Sequence, residues 1–354
     1  ARTTLHQQLA IAMRNGIECG RWSREMPSEA ELCREFQVSR MTLRKAVARL
    51  VEDGWIETGG RGRRHRIRKG PSKPDAPDGR IIRVLTPFSI GEWSTTNHAI
   101  LEALHARLMK SGFQLEIEHH RGLFKNFHAT KIDRINSLPD TGGWVCCYGT
   151  EEIHRWFARS NLPVVVLGRV HGDLRLSAVY PDMVAAARHA VAKLLQAGHR
   201  RLVYLIADPT SLNDRLASKA FLHEAGRMGT EARVAAHDGT AVSVGKLMTR
   251  LLATKPSPTG FATGSSEAAI TVLCRLLDAG TRLPADAGVV SMWDDANLDA
   301  THPTLARYRS NGTRIGQLLA QSILDQIRHG PGSVHSQAIM PDFIPGGSLG
   351  RADR

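Results

Sequence analysis

The stretch Pro27–Ile67, PSEAELCREFQVSRMTLRKAVARLVEDGWIETGGRGRRHRI, holds the densest local signal in the chain. Pro27 stands at a helix entry, Ser28 can cap that helix, and Glu31 three residues later completes a capping-box pattern. A short helix should therefore carry Leu32, Cys33 and Phe36 inward. Gln37-Val38-Ser39 breaks the period. Ser39 can cap a further helix whose inner face is Leu43, Ala46, Val47 and Leu50, which leaves Arg40, Met41, Arg44 and Lys45 outward at its first turns. Asp53-Gly54-Trp55-Ile56 ends that helix and begins a strand, and Gly59–Arg68, GGRGRRHRIR, reads as a glycine-tipped hairpin studded with guanidinium groups.

Upstream, Leu5, Leu9, Ala12, Met13 and Ile17 recur at helical spacing, which predicts one more amphipathic helix ending before Gly20. Helix, turn, helix and basic hairpin in this order make a winged helix-turn-helix. The first residues of its recognition helix reach base edges in the major groove. The glycines of the wing allow close approach to a phosphate backbone, and its arginines release counterions on contact. Candidate DNA-contacting residues are Ser39, Arg40, Met41, Thr42, Arg44, Lys45, Gly60, Arg61, Gly62, Arg63 and Arg64.

Charge placement agrees. The chain of 354 residues has a net charge of +13, and residues 1–70 contribute a surplus of seven from fifteen Lys/Arg against eight Asp/Glu. Such a balance favours a polyanionic partner. No run reaches the roughly 18 apolar residues of a membrane-spanning helix and no signal-type apolar segment opens the chain, so cytoplasmic residence is expected. Five cysteines, Cys19, Cys33, Cys146, Cys147 and Cys274, have no zinc-type spacing and read as reduced thiols. His119-His120 lacks a third ligand nearby, and neither a metal nor a cofactor is expected.

The head resembles the GntR family of bacterial regulators, through Ser39, Arg40, Thr42, Arg44 and the Gly60-Arg61-Gly62 wing. The resemblance implies that these positions contact operator bases and phosphates. One departure is Ala30, which stands where the family carries an arginine. One DNA contact usual for the family is then either missing or supplied from elsewhere, by Arg34 or the arginine-rich wing.

Lys69–Gly79, KGPSKPDAPDG, has three prolines and linker composition, which gives a domain at 1–69, a linker at 70–79 and a second domain at 80–354. Beyond it, apolar runs alternate with helical patterns: strands near Ile81–Leu85, Phe113–Glu118, Gly143–Tyr148 and Pro163–Leu167, with helices at Asn97–Ser111 and Glu151–Ser160. The pattern restarts after Asp182, with strands at Arg201–Ile206, Arg233–Ala236, Gly260–Thr263 and Val289–Met292 and helices at Met183–Ala197, Ser218–Met228, Val244–Ala253 and Ser266–Ala279. Strand–helix alternation indicates βαβ units, a parallel sheet and an α/β fold class, here in two similar halves.

Leu162–Arg169, Tyr180-Pro181-Asp182, Leu194–Arg201, Leu276–Pro284, Asp294-Asp295 and His302–Leu305 resemble the effector domain of lactose and galactose repressors, over about residues 80–348. That resemblance implies a two-lobed, periplasmic-binding-protein-like domain with a ligand between the lobes, a helix at Asn311–Arg328 returning to the first lobe, and a tail strand near the hinge. Loops at the carboxyl ends of the strands then supply the ligand contacts. Candidates are Thr86, Phe88, Ser89, Trp93, Tyr148, Asp182, Arg215, Ser265 and Asp294, with Gly149 and Asp208 beside them. Asp182 is equally placed to cap the following helix, Asp294 to close a strand end and Trp93 to anchor packing. Two departures stand out: Ala217 occupies the place of a ligand-contacting arginine, and Ser265-Ser266 that of an asparagine-aspartate pair. Either the effector is not an ordinary free sugar or the cleft has drifted.

These readings predict a DNA-binding transcription regulator of the repressor type, not an enzyme, acting as a homodimer on a palindromic double-stranded operator, controlled by a sugar-like or other small molecule and with no membrane partner. The alternative is a DNA-binding head fused to an aminotransferase-type enzyme body, for which only Lys193, Lys219 and Lys246 could offer a Schiff-base lysine, without a surrounding motif. A solute-binding transport protein would share the body but not the basic head.

Overall fold

A computed structural model describes residues 5–18, 22, 25–57, 64–67, 79–160, 162–207, 211–330 and 334–350. Backbone contacts divide the chain into two units, Ala1–Pro77 and Asp78–Arg354. The 70–78 part of the expected linker lies outside the described residues.

The first unit is three helices, α1 (Leu5–Glu18), α2 (Glu29–Phe36) and α3 (Arg40–Glu52), followed by the antiparallel pair β1 (Ile56–Glu57) and β2 (Arg66–Ile67). Local chemistry sets its boundaries. Ser28 and Glu31 form the full capping box, Gln37 closes α2 in the left-handed conformation (φ 51°), and Ser39 caps α3. Leu9, Ala10, Met13, Leu32, Leu43, Ala46, Val47, Leu50 and Ile56 bury one small core. In α1 the buried position is Ala10, and the expected Ala12 is exposed, because the face turned to α3 is set by Leu9 and Met13.

The second unit holds two six-stranded sheets. The first lobe contains β3 (Ile81–Thr86), α4 (Thr95–Lys110), β4 (Gln114–His119), α5 (Arg121–Lys125), α6 (Ala129–Asn136), β5 (Thr141–Cys147), α7 (Glu151–Arg159), β6 (Val164–Leu167) and β7 (Ser177–Pro181). The second contains α8 (Met183–Gln196), β8 (Arg201–Ile206), α9 (Leu212–Arg227), β9 (Glu231–Ala236), α10 (Ala241–Leu252), β10 (Gly260–Thr263), α11 (Ser266–Asp278), β11 (Gly288–Ser291) and β12 (Ala306–Arg309). The chain then returns: α12 (Gly312–His329) packs on the first lobe's core and β13 (Ser336–Ile339) joins its sheet, before β14 (Asp342–Ile344) joins the second sheet. Strand orders are β13-β7-β6-β5-β3-β4, wholly parallel, and β14-β12-β11-β10-β8-β9, parallel except for β14.

The chain thus changes lobe three times, after Pro181, after Arg309 and after Ile339. Each departure leaves a strand's carboxyl end, so in parallel sheets all those ends face the hinge and the opposite lobe. Layers of helix on both faces bury near-continuous apolar strands such as Val164–Leu167 and Leu202–Ile206.

Two expectations shift. The helix expected at Ser218 begins at Leu212, capped by Ser211, so Arg215 lies within a helix rather than a loop. Strands β7 and β12 are not marked in the sequence, β12 because Arg307 and Arg309 mask its pattern and β7 because Pro181, which cannot donate to a sheet ladder, ends it.

The returning helix is held by a close helix crossing. A Cβ on Gly316 would come within 2.3 Å of the Ile100 carbonyl oxygen and 2.9 Å of Ala103 Cβ, and one on Gly312 within 2.7 Å of the Thr96 carbonyl oxygen. Gly316→Ala should therefore lower stability by about 1–3 kcal/mol despite alanine's better helix propensity, whereas Gln317→Ala, on the exposed face, should be near neutral. Denaturant titration of the two variants measures the difference; a Gly316→Ala protein as stable as the parent would mean the seam is not tight.

Candidate functional site

The outer face of the first unit is built by α3. The Ser39 hydroxyl accepts the Thr42 amide (3.1 Å) and lies 2.9 Å from the Thr42 hydroxyl, which fixes the helix start. Arg40, Met41, Arg44 and Lys45 are all exposed. Arg44 reaches back to Glu29 at the start of α2 (3.3 Å), whereas Arg40 and Lys45 meet no carboxylate among the described residues. Glu31 is drawn toward Arg64 (3.8 Å), and the Ser28 hydroxyl and amide hold its carboxyl below the usual range. Ala30 is exposed, and the Arg34 Nε donates to its carbonyl (3.4 Å). The strand that carries the wing is fixed on two sides, by β1 and by Glu25–Met26, whose Met26 amide donates to the His65 carbonyl (2.9 Å). The tip residues Gly60, Arg61, Gly62 and Arg63 lie outside the described residues.

In the second unit, Thr86, Tyr148, Asp182, Ser265 and Asp294 end or follow strands β3, β5, β7, β10 and β11, whereas Arg215 lies on α9. Thr86 ends β3 fully buried, its hydroxyl accepting the Phe88 amide (3.2 Å). Phe88 is 40% exposed and meets Tyr148 edge to face at 6.0 Å. Tyr148 follows β5 with φ 55°, a left-handed conformation costly for a bulky residue, and its hydroxyl donates to Asn97 Oδ1 (2.8 Å). Burial pushes its phenol pKa up. Ser89 caps a short 3-10 turn through Glu92, whose carboxyl Arg121 and Ser89 hold down at about 2. Trp93 donates its indole N–H to the Phe88 carbonyl (3.3 Å) and packs on the first lobe's core, an anchoring role.

Several of the polar candidates are already engaged. Asp182, at the first crossing, caps α8 and pairs with Arg169 (3.1 Å), whose guanidinium stacks over Tyr180 at 4.3 Å. Asp294, after β11, binds Arg307 and Arg309, both at 2.5 Å; Arg307 is almost fully buried and also pairs with Asp299. Asp294 in turn raises the Arg309 pKa at the second crossing. Ser265 caps α11, Arg215 is exposed on α9, and Ala217 is buried in the second lobe's core beside Phe221. Asp208 lies outside the described residues. Sequence reasoning missed Asn97, Arg169 and Arg309 as site residues. Arg169 had a usable signal, an arginine directly after a strand–glycine end.

Near Tyr148 lies a buried imidazole. His154, in the first turn of α7, accepts the His171 amide at Nδ1 (3.3 Å), and its ring lies 5.3 Å from that of His171. No group of three His, Cys, Asp or Glu side chains able to hold a metal ion occurs among the described residues, and no described helix is long and apolar enough to cross a membrane.

Comparison with known proteins places both units. Residues 5–64 match the description "Bacterial regulatory proteins, gntR family", and residues 174–349 match "Periplasmic binding protein-like domain". The chain is 22% identical to the arabinose metabolism transcriptional repressor of Geobacillus stearothermophilus over 86% of its own length and 85% of that protein's. It is 28% identical to the HTH-type transcriptional repressor PurR of Proteus mirabilis, over 70% and 76% respectively. A solved LacI family transcriptional regulator from Enterococcus faecium, with bound ribose, superposes with a TM-score of 0.63 at 17% identity, covering 77% of this chain and all of that one. The chain is a fusion of a GntR-type helix-turn-helix with a periplasmic-binding-protein-like body.

Burial and the neighbouring His171 lower the His154 pKa to about 3, against 6.5 for a free imidazole. The unfolded chain takes up a proton there as pH falls through 6.5 while the folded chain does not. Stability from this site is therefore fully present above pH 6.5 and is lost on acidification, by about 2 kcal/mol at pH 5. Denaturation measured from pH 7.5 to 5 should show a shallower loss in His154→Asn than in the parent; parallel profiles would remove His154 as the cause.

Proposed function

We propose that this DNA-binding transcription regulator, GntR-type in its head and periplasmic-binding-protein-like in its body, is a repressor that acts as a homodimer on a palindromic operator and responds to a small molecule held between its lobes. The observation that carries the reading is the coexistence in one chain of a capped helix whose outer Arg40 and Lys45 meet no carboxylate among the described residues and a body whose carboxyl edges meet at a hinge. Two-fold symmetry in the protein would be mirrored in the operator half-sites. A protein that reads chromosomal DNA works where that DNA is, in the bacterial cytoplasm.

The effector is a sugar-like polyol, or a relative of one. Phe88 offers an exposed ring face, Ser89 and Ser265 hydroxyls, and Arg309 a half-exposed guanidinium beside Asp294. Tyr148, Thr86 and Trp93 set the floor on which Phe88 sits, and Asp182 joins through Arg169. Arginine at the Ala217 position would point into the core, so α9 contributes Arg215 instead, from an exposed turn. An enzyme body is disfavoured: Lys219 and Lys246 are exposed on helices, and Lys193 lies over the Phe343 ring at 5.3 Å.

Arg40→Ala and Arg44→Ala should each weaken operator binding by about 1–3 kcal/mol, roughly 5- to 150-fold. Fluorescence anisotropy at fixed salt reads this, and unchanged affinity in both variants removes the recognition-helix assignment. For the effector, thermal shift against free pentoses, hexoses, phosphosugars and nucleosides should show at least one ligand that raises the melting temperature and lowers operator affinity. At a hundredfold excess over its Kd such a ligand stabilises by about 2.7 kcal/mol. Phe88→Ala should abolish the shift while lowering ligand-free stability by only about 1 kcal/mol, the worth of its edge-to-face contact with Tyr148. If no compound shifts a protein that still binds DNA, the effector-gated half of the proposal is wrong.

A further inference from the structure

The recognition face of α3 is apolar at its centre. The buried stripe Leu43, Ala46, Val47 and Leu50 fixes the direction of the core. At about 100° per residue, Met41 lies about 170° from the middle of that stripe, Lys45 about 150° on the other side, and Arg44 only about 110° away. Arg44 is correspondingly the residue that turns back to α2 and Glu29. Met41 is 68% exposed, the most exposed large hydrophobic side chain among the described residues, and it takes no part in the head's core. An unbranched thioether standing alone between two cations in the first turn of a capped helix has no packing role in the head itself.

We propose that Met41 is a specificity-determining residue that reads the C5-methyl group of a thymine in the operator's major groove. This deepens, and rests on, the DNA-binding reading of the head. The first residues of a recognition helix approach base edges, and the residue opposite the core reaches deepest. In the major groove the thymine methyl is the apolar feature that distinguishes base pairs, and it is read by apolar contact. Methionine suits that contact because it is flexible and polarizable, and because removing both the thioether and the methyl from water is favourable. Lys45, about 40° from Met41 around the helix, and Arg40, about 100° away beyond Arg44, meet no carboxylate among the described residues and can hold phosphates or guanine edges, which leaves the thymine step to Met41.

The test uses the full-length protein and a duplex selected by it from a random pool. Thymines are replaced by uracil one at a time, a change that removes only the methyl group, and affinity is read by fluorescence anisotropy at fixed salt. The parent should lose about fourfold at one thymine per half-site. In Met41→Gln, which keeps side-chain length at an exposed position, that loss should vanish, and the slope of affinity against salt should stay unchanged because no phosphate contact is removed. An unchanged melting temperature confirms that the variant folds. If the parent ignores every uracil, or if Met41→Gln keeps the full uracil penalty, the proposal is overturned while the DNA-binding reading stands. A pool from which no duplex is enriched overturns both.

Discussion

Parallel strands put all their carboxyl ends on one edge of a sheet, and a chain that changes sheet only from that edge must set the two edges face to face. Three passages, after Pro181, Arg309 and Ile339, impose this on the body. Everything at the candidate cleft follows from it: Phe88 and Tyr148 follow β3 and β5, Ser265 follows β10 and Asp294 follows β11. The second passage needs an anchor on the lobe it re-enters. Gly312 and Gly316 supply one by letting α12 approach the backbone of α4 more closely than any side chain would permit. The hinge is therefore bordered on one side by a rigid helix pair and on the other by ion pairs.

The head divides its work differently. Its fold is fixed by short-range devices, the Ser28–Glu31 box, the left-handed Gln37 and the Ser39 cap, which together set the angle between two helices. Its outer face is then free to carry charge that the fold does not use. Cations of this kind supply affinity through counterion release, a term blind to sequence, so discrimination must come from side chains that meet base edges. The Glu29–Arg44 contact takes one guanidinium partly out of that pool and orients it across the helix pair.

What the sequence made legible was what is local. Caps, helix faces and wing order in the head need no more than four residues of separation to be seen. In the body, the apolar runs of β3, β5, β6, β8, β10 and β11 stood out because a sheet covered on both faces demands them. Strand β12 did not stand out, because Arg307 and Arg309 are paid for by Asp294 and Asp299, partners 8 to 15 residues away that only the fold brings alongside. Arg83, buried on β3, is likewise paired with distant residues, Glu116 and Glu118, though the apolar residues around it leave β3 legible. The Ser211 cap of α9 is local, yet the helix it starts opens on Leu212-Asn213-Asp214-Arg215, a polar stretch that reads as loop until its Ala217 and Phe221 are seen in the core.

The pairs at the hinge also bear on how a ligand could be coupled to the head. Asp182 sits at the first passage and Arg309 at the second, and each is held by a residue of a neighbouring cleft loop or strand end, Arg169 and Asp294. In the proposed function, a ligand that hydrogen-bonds Arg309 or Arg169 competes with those carboxylates. Its binding energy is then divided between contact and rearrangement of the segments that join the lobes. A ligand shifts a conformational equilibrium only by the difference in its affinity for the two states. Placing the competing charges on the crossings themselves ties that difference to the segments that join the lobes.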